Sequence, residues 1–193
     1  FAHSGGQFNE TLTTFTTNYF KSLEGYEVKM TNINDDYDAQ EEVEKYVWAD
    51  IVIYHTPIWW FQLPYRFKQF IDEVFTAGHQ TGIYHSDGRS SKSPSLNYGT
   101  GGMLKGKQYM LTTSWNAPKE AFTLPNEFFM ETSVDDGPLF GFHRMNAFIG
   151  MTPLPSLHFH DVEKNSNIER DLGHYQQHLQ NLFPLPTNEK VQS

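Results

Sequence analysis

Apolar residues recur at helical spacing from Asn9, at Leu12, Phe15, Tyr19, Phe20 and Leu23, and Gly25 then supplies a stop signal. This pattern predicts an amphipathic helix. The next stretch, "YEVKMTN" (residues 26–32), reads as a short strand, and "AQEEVEKYVWA" (39–49) as a second helix. A continuous apolar run in "DIVIYHT" (50–56) suits a parallel strand covered on both faces. In "PYRFKQFIDEVF" (64–75), Phe67, Phe70, Ile71, Val74 and Phe75 share one helical face, and Pro64 fits the start of that helix. Residues 76–106 are rich in Gly, Ser, His and Lys and lack periodicity, which predicts a long excursion of a kind that is often functional. "KQYMLTTSW" (107–115) is the next expected strand, followed by helical "NEFFMETS" (126–133) and "LFGFHRMNAFIG" (139–150). "LPSLHFHD" (154–161) is an expected strand, and "SNIERDLGHYQQHLQNLF" (166–183) an amphipathic helix with Ile168, Leu172, Tyr175, Leu179 and Leu182 on its apolar face.

Strands that alternate with helices predict one α/β domain over residues 1–193, a length sufficient for a full core. The opening "FAHSGGQFNETL" is a glycine-bearing polar turn entering a helix, the connection that normally follows a first strand. The expected architecture is therefore a flavodoxin-like three-layer sandwich on a five-stranded parallel sheet of order 2-1-3-4-5, with strand 1 ahead of Phe1 and missing from this sequence. Roughly a dozen apolar, β-branched residues are expected there.

Charge narrows the partners. A net charge of -9 with no basic stripe argues against nucleic-acid or anionic-membrane binding. No apolar run is long enough to cross a bilayer, and the absence of cysteine removes disulfides, thiolate catalysis and cysteine-ligated metal centres. A soluble, cytoplasmic protein is expected.

Three loops follow expected strands at the carboxyl edge of the sheet, where α/β proteins place ligands. In "HSGGQFNET", Ser4, Gln7, Asn9 and Thr11 offer polar side chains, while Gly5 and Gly6 let backbone N–H groups curl toward a phosphate at a helix start. The same residues also suit an ordinary N-capped turn using Asn9. This loop is neither a dinucleotide fingerprint nor a P-loop. In "HTPIWWFQLP", Trp59, Trp60 and Phe61 in a row cannot all face one core, so a planar ligand or a subunit interface is expected to cover them. In "TSWNAP", Asn116 and the turn amides suit the polar edge of a flavin, or else simply start the next helical segment. His158 and His160 share a strand face beside Asp161, but no further ligands stand at a spacing that would close a zinc site, and none is expected. His143 fits a satisfied helix histidine or a group approaching substrate from a neighbouring subunit. The acidic stretches "DDYD" and "QEEVEK" read as solvated faces.

The stretches "FAHSGGQFNETL", "WADIVIYHTPIWWFQLPYRFKQFIDEVF", "SDGRSSKSPSLNYGTGGMLKGKQYMLTTSWNAPKEAF" and "FHRMNAFIGM" together resemble the modulator of drug activity B family, which is similar to the flavodoxin-like NAD(P)H quinone reductases that include DT-diaphorase. They keep their order and span nearly the whole chain. The resemblance implies FAD, NADPH or NADH as electron donor, a small-molecule quinone as acceptor, ping-pong hydride transfer through flavin N5, and a homodimer with two active sites at its interface. Carried onto this sequence, it implies that Ser4, Gly5, Gly6, Gln7, Phe8, Asn9, Glu10 and Thr11 hold the pyrophosphate and ribityl region. Pro57, Ile58, Trp59, Trp60 and Phe61 would support the isoalloxazine, Tyr98 the adenosine half, and Ser114, Trp115, Asn116 and Ala117 the ring's polar edge. Ile58 and Phe61 stand where the family has glycine and methionine, which would narrow the pocket. His143 and waters are the candidate proton donors. The alternatives are an FMN-dependent azo- or nitro-reductase, a non-catalytic flavin-binding electron carrier, and an interaction protein with a vestigial pocket.

Overall fold

The computed structural model describes residues 5–184. Two long strands, β1 (Ile51–Pro57) and β2 (Gln108–Ser114), pair in a parallel sheet, in register from Ile51 opposite Gln108 to Pro57 opposite Ser114. The far edge of β2 carries two short strands. β3 (Thr152–Pro153) pairs at its start and β4 (Leu157–Phe159) at its end.

Alternation along the strands sets the layers, because successive side chains point to opposite faces. Tyr54, Tyr109 and Leu111 enter one core with Val43, Phe67, Phe70, Ile71 and Val74. These come from α2 (Ala39–Trp48) and α3 (Tyr65–Ala77). Met110 and Phe159 enter the other core, with Leu12 and Phe20 of α1 (Gly5–Lys21) and Tyr175 and Leu179 of α6 (Ile168–Leu182). The result is the expected three-layer sandwich. α5 (Phe140–Phe148) adds Phe142 to the first core, and a single helical turn, α4 (Glu120–Thr123), adds Phe122.

Several expectations need correction. The first helix starts by Gly5 and not at Asn9, so Asn9 lies in its second turn and cannot be an N-cap. Tyr26–Asn32 forms no ladder: order 2-1-3-4-5 places it beside strand 1 and away from β1, and among the described residues it has no neighbouring strand. The sheet therefore shows four strands, and the strand expected ahead of Phe1 lies outside the described residues. Residues 126–133 are not helical, because Asn126, Met130 and Glu131 take φ of 64°, 54° and 58°, which no helix accommodates. The strand expected over 154–161 shrinks to Leu157–Phe159, since Pro153 and Pro155 cannot donate to a ladder.

The 76–106 excursion attaches at the amino edge of the sheet. Leu104 N–H donates to the Ile149 carbonyl at 3.0 Å, just past α5. Gly102 is required there, because a Cβ would lie 2.2 Å from the Ile149 backbone carbon.

Candidate functional site

At the carboxyl ends of β1 and β2 the chain makes two turns side by side. The β1 turn is a two-residue hairpin in which Trp59 and Gln62 exchange backbone hydrogen bonds of 2.9 and 3.0 Å. Its central residues, Trp60 and Phe61, have φ of 48° and 66°. A two-residue hairpin with both central residues left-handed selects Asn-Gly, because a Cβ with a bulky ring is disfavoured there. Two large aromatic side chains at such positions store strain of order 1 kcal/mol or more each. Core packing does not offset this at Trp60, which is 89% exposed. Local strain that holds an exposed indole at a ligand-binding edge points to function.

The β2 turn is held from behind. Trp115 N–H donates to the Phe159 carbonyl (2.8 Å), Val162 N–H to the Trp115 carbonyl (3.1 Å) and Asp161 N–H to the Ala117 carbonyl (3.2 Å). Ser114 ties the two turns together by accepting from Ile58 N–H at 3.0 Å. These bonds leave the N–H groups of Asn116 and Ala117 without a hydrogen bond among the described residues, beside the exposed Asn116 side chain. Unsatisfied donors at a strand end are what a carbonyl or anionic edge of a ligand would use.

α1 closes the third side. Phe8 packs edge-on against Phe159 at 5.0 Å, and the buried Asn9 amide donates to Ser114 Oγ at 2.9 Å. Gln7, Glu10 and Thr11 are exposed, and the Thr11 hydroxyl bonds back to the Gln7 carbonyl at 2.8 Å. Gly5 and Gly6 belong to the helix itself, and Ser4 lies outside the described residues. Beneath this corner, His55 of β1 meets Thr16 Oγ1 at 2.9 Å and Thr112 Oγ1 at 2.6 Å, and Thr16 also meets the Tyr175 hydroxyl at 2.6 Å. Burial lowers the His55 pKa to about 4, so the ring is neutral at physiological pH.

The structure thus brings Gln7–Thr11, Pro57–Phe61 and Ser114–Ala117 to one corner. Trp115 differs in one respect. Its side chain is 2% exposed and packs against Phe122 and Phe129, so it borders the crevice by its backbone alone. Tyr98 is not brought to this edge. Its ring lies 5.8 Å from Phe148, four residues before the Thr152 that pairs with Gln108 at the start of β2. Within one chain it therefore sits toward the amino edge. His143 has both nitrogens engaged, Nδ1 with the Tyr109 hydroxyl (2.6 Å) and Nε2 with Asp135 (2.8 Å).

Sequence reasoning missed the aromatic wall over 122–130. Phe122 and Phe129 stack at 3.9 Å with 5° between their planes, Phe129 meets Phe61 edge-on at 5.6 Å, and Phe128 leans on Phe61 at 5.3 Å. The signal was the Phe128-Phe129 pair next to Asn126, two adjacent rings that meet each other at 5.0 Å and share Phe61 as a neighbour.

A three-layer α/β protein with a parallel sheet and an aromatic, amide-lined crevice at the carboxyl ends of its central strands has the flavodoxin-like fold. A family profile described as flavodoxin-like fold matches residues 6–182. The chain is 45% identical over 183 residues to the NADPH:quinone oxidoreductase MdaB of Haemophilus influenzae, covering 95% of this chain and 94% of that protein. It is 44% identical to an uncharacterized protein of Schizosaccharomyces pombe, covering 95% and 92%. The chain belongs to the modulator of drug activity B family of NAD(P)H quinone oxidoreductases, within the flavodoxin-like fold. The same fold occurs in a putative quinone reductase from Klebsiella pneumoniae, with a TM-score of 0.70 at 22% identity over 92% of this chain and 80% of that one. The general stress protein 14 of Treponema denticola, solved in complex with FMN, matches with a TM-score of 0.55 at 26% identity over 76% of this chain and 74% of that one. No helix among the described residues is long and apolar enough to cross a membrane.

Proposed function

We propose that the chain is the subunit of a homodimeric, FAD-dependent reductase that uses NADPH or NADH to reduce quinones to hydroquinones, with donor and acceptor occupying one crevice in turn. The observation that carries this reading is the strained Trp60-Phe61 turn beside the free amides of Asn116 and Ala117. Bound flavin would supply the two-electron chemistry, taking hydride from the nicotinamide and passing it to the quinone. The chain's own residues do the rest. Trp59, Trp60 and Phe61 present apolar surface to a planar ring system. Asn116 and Ala117 would offer their N–H donors to the polar edge of the flavin and so stabilise negative charge on it without reorganisation. The start of α1 turns its positive end toward the same corner and suits a phosphate.

The position of Tyr98 supports the dimer. From the amino edge of its own sheet it reaches an adenosine group only in a second protomer, so a chain-to-chain arrangement lets every implied residue act. His143, saturated by Tyr109 and Asp135, serves the polar network behind the wall, and water entering the open crevice supplies the proton for the hydroquinone. A chain without cysteine suits the reducing cytoplasm. FMN is the second reading, favoured by the Treponema complex. Heat release of the cofactor followed by mass measurement decides between them: FAD is expected, and FMN would overturn the adenosine role of Tyr98.

A further inference from the structure

Behind the crevice, side chains from β2, β4, α5 and the 133–137 turn converge on one carboxylate, and the direction of each hydrogen bond can be worked out. An indole N–H can only donate, and Trp115 Nε1 does so to Thr113 Oγ1 at 2.7 Å. At the other end, the Asp135 carboxylate can only accept, so His158 carries a proton on Nε2 and donates it to Asp135 Oδ1 at 3.1 Å. With its proton there, His158 Nδ1 accepts from the Thr113 hydroxyl at 2.7 Å. From the other side, the Tyr109 phenol, pushed up to about 12 chiefly by burial, stays protonated and donates to His143 Nδ1 at 2.6 Å. His143 Nε2–H reaches the same Oδ1 at 2.8 Å. Burial opposes the charge on Asp135, but the hydrogen bonds from His143 and His158 outweigh it and hold the carboxyl well below its ordinary range. Asp135 is the terminal acceptor of both branches.

Such a chain can move protons or hold atoms still. The branch toward the crevice ends on an indole N–H, which neither accepts a proton nor gives one up near neutral pH, so it cannot feed the reaction. It can act as a brace. We infer that Asp135 is a positioning residue that, through His158 and Thr113, fixes the Trp115 indole and thereby the turn presenting the Asn116 and Ala117 amides; this rests on the flavin reading proposed above. Trp115 is both the first residue after β2 and a member of the Phe122-Phe129 wall, which touches Phe61. The segment that carries Asp135 also meets the other turn, where the Gln62 amide approaches the Pro138 carbonyl at 3.5 Å. The carboxylate braces the β2 turn, and the segment that carries it touches the β1 turn through Pro138.

The test uses the full chain with three changes: Asp135→Ala, Asp135→Asn, whose Oδ1 can still accept from both histidines, and Thr113→Val, which cuts the branch while leaving Asp135 charged. The first readout is the Trp115 indole resonance in flavin-free protein, assigned with Trp115→Phe; the second is affinity for FAD and FMN by fluorescence titration. Asp135→Ala and Thr113→Val should each move the indole resonance and weaken flavin binding about tenfold or more, while Asp135→Asn stays within about threefold of wild type. If Asp135→Ala does not fold, Thr113→Val alone carries the same expectation. An unmoved resonance in Thr113→Val overturns the brace, as does an Asp135→Asn variant as impaired as Asp135→Ala. Wild-type protein that binds neither flavin overturns the flavin reading instead, and the indole resonance still reports on the brace.

Discussion

Replacing His55 with glutamine should remove a defined part of the protein's acid sensitivity. The His55 ring is held between Thr16 and Thr112, and its pKa falls from an ordinary 6.5 to about 4 because burial disfavours the charged form. Between those values the unfolded chain binds a proton that the folded chain does not, so stability rises with pH across the window. The contribution is complete above pH 6.5 and drains away as pH falls toward 4. At pH 5 the unfolded state is favoured by a factor of about 30 through this one site, or about 2 kcal/mol. In a chain of this size that corresponds to a Tm lowered by about 4–8 °C. Urea or thermal unfolding of wild type and His55→Gln at pH 7 and pH 5, with flavin content held equal, isolates the term as a difference of differences. His160 and His178, also shifted down by burial, contribute equally to both proteins and cancel. Asp135 does not interfere, because its depressed pKa places its loss of stability below the ordinary carboxyl value of 3.8. If wild type and variant lose the same stability between pH 7 and pH 5, the ring is not held neutral and the account of this corner is wrong.

Other changes probe the crevice. Trp60→Asn should raise stability by about 0.5–1 kcal/mol, because asparagine tolerates the left-handed region, while weakening flavin binding; calorimetry and a flavin titration on the same sample would expose a purely structural indole through unchanged affinity. Asn9→Ala removes the buried donor to Ser114 Oγ and should cost about 1–2 kcal/mol in denaturant unfolding, with looser flavin binding. Gly102→Ala drives a Cβ into the Ile149 backbone and should destabilise by about 1–3 kcal/mol. Because that clash lies at the amino edge, any loss of flavin affinity it causes should appear only where dimerisation is also lost, as read by sedimentation.

Elements with long uninterrupted periodicity were legible. α3 shows its core face as Phe67, Phe70, Ile71 and Val74, and the apolar runs of β1 and β2 pair without a slip over seven residues. What periodicity cannot see is backbone chirality and pairing. "NEFFMETS" has helical composition, yet three left-handed residues turn it into the aromatic wall. Tyr26–Asn32 has the composition of a strand, but a strand exists only beside a partner. The crevice turns were legible because Trp59, Trp60 and Phe61 exceed what one core face can bury. The Asp135 network was not, because Tyr109, Thr113, Asp135, His143 and His158 meet only after the sheet and α5 are assembled.

The most direct test of the central claim is to take the protein with its native cofactor and follow the visible flavin band anaerobically as NADPH, and then a quinone such as menadione, is added. The account predicts released FAD by mass, bleaching on NADPH and full recovery of the band on quinone. Protein without flavin, or with flavin that NADPH leaves oxidised, would contradict it.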